Sequence, residues 1–234
     1  MLEDGSVFTV DYVELTYSPD PYEYHKLYAE QGLAEWGDVI AQKPSMFNGN
    51  VLLEAGLHRD GNTLRGVSHS IPFSSFIHWI KNDGQEGYHL FAMGLMISGD
   101  GFPILERMAD HTFNAGKVYG PAGSLDEDDI VNGRVDLHAN IIREISEETG
   151  LEIETKSLSG PFDIFVFDRK IVAVKRIVFT QKSDVLCQTI NDFIQSDKDA
   201  ELSEVFAIRE PGRYEHKMAL HMPKILNWFF DLSA

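Results

Sequence analysis

The segment 143–151, REISEETGL, restricts what this chain can fold into more than any other stretch. Read as part of a helix over residues 137–149, it brings Glu144, Glu147 and Glu148 to one face within a single turn. Three carboxylates so placed repel one another, and near the C-terminal end of a helix they also oppose its macrodipole. A bound divalent cation relieves both penalties. Carboxylate oxygens suit Mg2+ or Mn2+, which keep part of their water shell and share their remaining positions with substrate phosphates.

This segment resembles the second half of the Nudix hydrolase signature, Arg-Glu-apolar-x-Glu-Glu-x-Gly-apolar. Arg143, Glu144, Ile145, Glu147, Glu148, Gly150 and Leu151 fill every fixed position. A solvated acidic helix face would need neither the arginine, the glycine nor the two apolar residues. The first half of the signature departs from the pattern, with Val135 standing where the family has a glutamate and Asp129 where it has a glycine. Taking Gly123 of YGPAGSLD as the loop glycine gives a better registration, and leaves about six inserted residues within DEDDIVNG. That insert is acidic and ends in Asn132-Gly133, a turn pair suited to a surface loop. Asp126, Asp129 or Asp136 takes the place of the missing glutamate, although Asp136 is also placed to cap the helix.

At 234 residues, 43% hydrophobic and 24% charged, the chain can bury a core as one large domain or as a domain with an added piece. The N-terminus, MLEDGSVFTV, carries acids where a signal peptide has a basic region, and no apolar run approaches membrane-spanning length. A soluble protein is expected. The single cysteine, Cys187, excludes an intrachain disulfide and suits a reducing cytoplasm. A net charge of −17 argues against a nucleic-acid polymer or an anionic membrane as partner.

In chain order, residues 6–17 alternate and are rich in β-branched and aromatic types, which predicts a strand. Asp20-Pro21 then opens a helix, with fraying expected at Gly32 and with Tyr22, Tyr24, Tyr28 and Trp36 as packing residues. NVLLEAGL and TLRGVSHS form a hairpin about Asp60-Gly61, and Pro72 starts a helix through PFSSFIHWIKN. Residues 1–85 thus read as a small β-α-β-β-α extension, whose KPSMFNGN resembles N-terminal regions of larger bacterial Nudix proteins. Its expected role is a wall of the substrate pocket or the surface of a homodimer. Residues 86–234 read as the hydrolase domain. YHLFAMGLMIS is a buried strand, PILERMA a second, and LEIET, PFDIFVFD and KIVAVKRIVFTQ continue the strands beyond the motif helix. Gly150 ends that helix in the left-handed conformation. Arg169, Lys170, Lys175 and Arg176 read as a solvated hairpin, SDVLCQTINDFIQSD as a helix capped by Ser183, and MPKILNWFF as a last amphipathic helix.

The resemblance implies an α/β (α+β) fold, an α/β/α sandwich around a mixed sheet, and Mg2+- or Mn2+-dependent cleavage of a diphosphate bond. Its site residues map onto Glu144, Glu147, Glu148 and the Gly123 carbonyl as metal ligands, with Arg143 pairing those glutamates. Arg107 falls at a substrate-contacting position, and Asn114, Lys117, Tyr119 and His111 lie where phosphate or ribose is touched. Glu204 is the candidate general base and Glu201 the second. The substrate class is a small nucleotide, and the extra N-terminal piece favours a bulky nucleoside diphosphate linked to another group, a nucleotide sugar or ADP-ribose. A non-catalytic nucleotide sensor is the alternative, although a sensor has no need of all three glutamates.

Overall fold

The computed structural model describes residues 2–44, 46–82, 84, 86–212 and 217–233. Ser45 of KPSMFNGN and Gln85, at the expected domain boundary, lie outside the described residues. The strands are β1 (Val7–Val10), β2 (Tyr12–Ser18), β3 (Asn50–Asp60), β4 (Thr63–Pro72), β5 (His89–Ile97), β6 (Pro103–Met108), β7 (Val118–Tyr119), β8 (Ala122–Ser124), β9 (Ile130–Val131), β10 (Arg134–Val135), β11 (Phe162–Phe167), β12 (Lys170–Val178) and β13 (Leu202–Ala207). The helices are α1 (Glu23–Gln42), α2 (Phe73–Lys81), α3 (Leu137–Thr149), α4 (Ser183–Ser196) and α5 (Met222–Ser233). Among the described residues no helix is long and apolar enough to cross a membrane.

The chain divides into two compact units. The first comprises Met1–Phe91, Ser124–Leu137 and Pro161–Ala173, so it takes in two segments that lie beyond residue 85. Its sheet runs β3-β4-β2-β10-β9, with β2 parallel to β4. The expected hairpin forms, but its turn is one residue later than Asp60-Gly61: Asp60 ends β3 facing Thr63, and Gly61 (φ 58) and Asn62 make the turn. The strand expected over residues 6–17 is two strands, because β1 pairs with β11 while β2 pairs with β4. Tyr22, Tyr24, Phe76 and Trp79 pack with Val51, Leu53 and Ile71, as their apolar rings demand.

Helix α1 corrects two expectations. It starts behind Tyr22 without a side-chain cap, so Asp20 does not cap it, and its kink is at Tyr28 (φ −124). Gly32 lies inside the helix and meets α2 closely, since a Cβ there would stand 2.9 Å from the Ser74 carbonyl oxygen. The acidic insert is ordered by its own carboxylates. Asp126 accepts from the Asp128 amide at 2.8 Å and Asp129 accepts from the Asp126 amide at 3.1 Å, closing a 3-10 turn at Glu127–Asp129. Asn132 (φ 51) and Gly133 (φ 76) then turn β9 back onto β10.

The second unit comprises Ala92–Gly123, His138–Gly160 and Val174–Ala234. Its strands lie in the order β12-β5-β6-β13, with β7 beside β6 and β8 beside β5. Helix α3 covers β5 through Ile141 and Ile145, both buried. A Cβ on Gly94 would come within 2.7 Å of Ile145 Cδ1, so the glycine sets how closely helix and strand approach. Gly150 (φ 68) ends α3, its amide donating to the Ser146 carbonyl at 2.9 Å.

Three sequence readings change in this unit. LEIET is not a strand; the chain is irregular there and enters a 3-10 turn at Thr155–Leu158. Ser183 is the first residue of α4 rather than its cap. Asp100 from the β5–β6 turn accepts from the Ser183 amide at 2.7 Å and from its hydroxyl at 3.0 Å, a cap supplied from far along the chain. Lys175 is buried, 1% exposed, and its ammonium donates to the Gly160 carbonyl, so the basic hairpin is not uniformly solvated.

Candidate active site

The site candidates from β6, β7, α3 and β13 all fall within the second unit. The helix predicted over 137–149 is α3, and its last turn faces three ways. Glu148 is buried with Oε2 lacking a hydrogen-bond partner. Glu144 is nearly buried, at 13% side-chain exposure, and Glu147 is open at 63%. Arg143 lies between the last two, its Nη1 2.8 Å from Glu144 Oε1 and 3.4 Å from Glu147 Oε2. A cation is thus already placed against two of the three carboxylates.

Gly123 touches the same group. A Cβ there would overlap the Glu144 carboxyl in its present position, so a larger residue would have to displace that carboxyl or the loop.

Sequence reasoning missed Glu106 on β6. It is 0% exposed and neither carboxyl oxygen has a hydrogen-bond partner. Its carboxyl lies close enough to Glu148 that each group acts on the other electrostatically. Both groups are held well above the usual carboxylate range, first by burial and then by the neighbouring Glu144 and, at Glu148, by Glu106 itself. One sequence signal pointed there. Glu106 shares the strand parity of Ile104 and Met108, both core residues, so an acid at that place is an acid facing inward.

Beside this pair runs a polar chain. Tyr119 stands opposite Glu106 in the β6–β7 register. Asn114 donates to the Tyr119 hydroxyl at 3.2 Å, and Lys117 donates to Asn114 Oδ1 at 2.9 Å. Burial and the nearby Glu148 raise the Tyr119 phenol well above its ordinary pKa, keeping it a neutral donor. Asn114, Lys117 and Tyr119 are therefore brought together next to the acids.

The other two candidates pair with each other. Arg107 Nε lies 2.7 Å from Glu204 Oε1 across the β6–β13 ladder, and its guanidinium sits 5.6 Å from the centre of the Phe206 ring. Glu201, just before β13, is the acid of that segment whose charge acts on Glu148 and Tyr119. Asp126 and Asp129 serve the turn in the first unit, and His111 lies in the turn after β6.

Among the described residues no three His, Cys, Asp or Glu side chains stand together in metal-ligating geometry. The donor chemistry nonetheless fits a hard divalent cation. It offers carboxylate oxygens and a backbone approach, and three of the buried oxygens lack any donor.

No family model and no curated protein matches the chain. Solved structures do. The chain is similar to a bifunctional NMN adenylyltransferase/ADP ribose pyrophosphatase of Francisella tularensis complexed with AMP and a Mn ion, at 17% identity over 68% of this chain and TM-score 0.43. It spans 45% of that enzyme's length. It is similar also to the Nudix domain of Shewanella oneidensis NrtR complexed with ADP ribose (14%, 68% of this chain and 98% of that one, TM-score 0.42). A third is the MutT protein of Methanosarcina mazei Go1 (17%, 62% and 95%, TM-score 0.37). These likenesses are to Nudix and MutT-type proteins.

Proposed function

We propose that the protein is a Nudix-type pyrophosphohydrolase that uses Mg2+ or Mn2+ to cleave a diphosphate bond in a nucleoside diphosphate linked to another group, of the nucleotide-sugar or ADP-ribose kind. One observation carries the reading: a complete REISEETGL lies on the last turns of α3, where Glu148 is buried without a donor for Oε2. In this reading residues 86–234 form the hydrolase domain and residues 1–85 an extension to it.

Glu144, Glu147, Glu148 and the Gly123 carbonyl are the residues that would hold the cation. When bound, it neutralises phosphate charge and polarises the bond to be cleaved. Arg143 holds Glu144 and Glu147 in place. Lys117, Asn114 and Tyr119 present donors suited to phosphate oxygens or ribose hydroxyls, as does Arg107 from β6. Orienting the attacking water falls to an acid at the start of β13, Glu201 or Glu204. A lone cysteine suits work in a reducing cytoplasm.

The test is release of nucleoside monophosphate from a panel of nucleotide sugars, ADP-ribose, dinucleoside polyphosphates and nucleoside triphosphates, with and without Mg2+. Mg2+-dependent release from a diphosphate-linked substrate is expected. Tight nucleotide binding with no turnover on any panel member would instead identify a sensor.

A further inference from the structure

We propose that Glu106 is a further carboxylate of the cation site, contributed by the sheet rather than by α3; the inference rests on the cation-dependent reading above. A fully buried carboxylate with neither oxygen bonded is costly unless something positive meets it. Its neighbour makes the demand sharper. Glu148 Oε2 is likewise buried without a partner, and carboxylates left as acceptors alone need a proton or a metal ion. Nearby, Asn114 donates to the Tyr119 hydroxyl and Lys117 to Asn114, and the buried oxygens of Glu106 and Glu148 Oε2 receive no hydrogen bond from the described residues.

Position argues for the ion. Glu106 occupies a core-facing place on β6, between Ile104 and Met108, where an apolar side chain would fill the same space without penalty. The other such acid is the glutamate that closes the acidic triplet of α3, so strand and helix each contribute a buried, unbonded carboxylate oxygen. A hard divalent cation takes six or more oxygen ligands, and a carboxylate opposite the helix completes a set that the helix alone leaves one-sided.

Titrating Mn2+ calorimetrically into wild type, Glu106→Gln and Glu147→Gln decides the matter. The amide introduced by Glu106→Gln can donate to Glu148, so the apo variant should fold. Glu106→Gln is expected to weaken Mn2+ binding about tenfold or more and to shrink the rise in melting temperature that Mn2+ gives. Unchanged Mn2+ affinity in Glu106→Gln, with loss in Glu147→Gln, overturns the inference while sparing the cation site. A wild type that binds no Mn2+ overturns both. Should Glu106→Gln not fold, a Mn2+-soaked crystal of the wild type answers directly. A Glu106 oxygen at about 2.2 Å from the ion supports the assignment, and an ion with no Glu106 oxygen among its ligands removes it.

Discussion

Arg143 and Glu144 are neighbours in sequence and partners in space, Nη1 to Oε1 at 2.8 Å, and the same nitrogen reaches Glu147 Oε2 at 3.4 Å. One guanidinium thus organises two candidate ligands. Both arginine and Glu147 are partly exposed, so their attraction is screened and adds little to stability. Arg143→Gln should therefore shift unfolding free energy by less than about 1 kcal/mol. It should reduce Mg2+-dependent turnover about 10- to 100-fold, because the carboxylates lose their positioning partner. Denaturant unfolding and steady-state kinetics check the two halves separately.

Gly123→Ala places a methyl group in the space of the Glu144 carboxyl. The carboxylate must move or the loop must retreat. The expected result is a Mn2+ affinity lowered about tenfold or more, with secondary structure by circular dichroism unchanged. An alanine variant that binds Mn2+ as well as wild type would show that the close approach has no role in the site.

Glu54 supplies a prediction away from the site. It is fully buried in the first unit, accepts from Ser68 Oγ at 2.6 Å, and leaves Oε1 without a partner. Burial pushes its carboxyl up to about 7 from an ordinary 4.5, against the pull of the Ser68 hydrogen bond. Between these values the folded chain binds a proton that the unfolded chain has released. Stability from this group is therefore complete below about pH 4.5 and falls as pH rises toward 7, by about 3 kcal/mol at most. Glu54→Gln should flatten that part of the stability profile and raise stability at pH 8, as read by urea unfolding across pH.

Two acids compete for the water-orienting role. Glu204 is bonded to Arg107, whereas the charge of Glu201 acts on Glu148 and Tyr119. Glu201→Gln is expected to lower kcat by about 100-fold or more and Glu204→Gln by less. The reverse order in purified variants would assign the role to Glu204.

What the sequence made legible was local. The span of α3, the glycine that ends it and the β3–β4 hairpin, though not the exact pair at its turn, follow from spacing and turn chemistry within a few residues. The features that escaped depend on distant partners. Residues 6–17 split because β1 and β2 find different neighbours, and the cap of α4 comes from Asp100, far earlier in the chain. Lys175 reads as a solvated cation until the Gly160 carbonyl is placed above it. Glu106 stood beside Arg107 in plain view, but its meaning lies in Glu148, across the helix–sheet packing. The turn at Asn132-Gly133 was legible, while the 3-10 turn built by Asp126 and Asp129 and the short strand β9 within the insert were not visible from composition.

Glu147 offers the most direct measurement, because its side chain is 63% exposed and its replacement need not disturb the core. Glu147→Gln should unfold at the same denaturant concentration as wild type and lose Mg2+-dependent release of nucleoside monophosphate by about 1,000-fold or more. Turnover within a few-fold of wild type in that folded variant would contradict the assignment of α3 as the metal-binding helix.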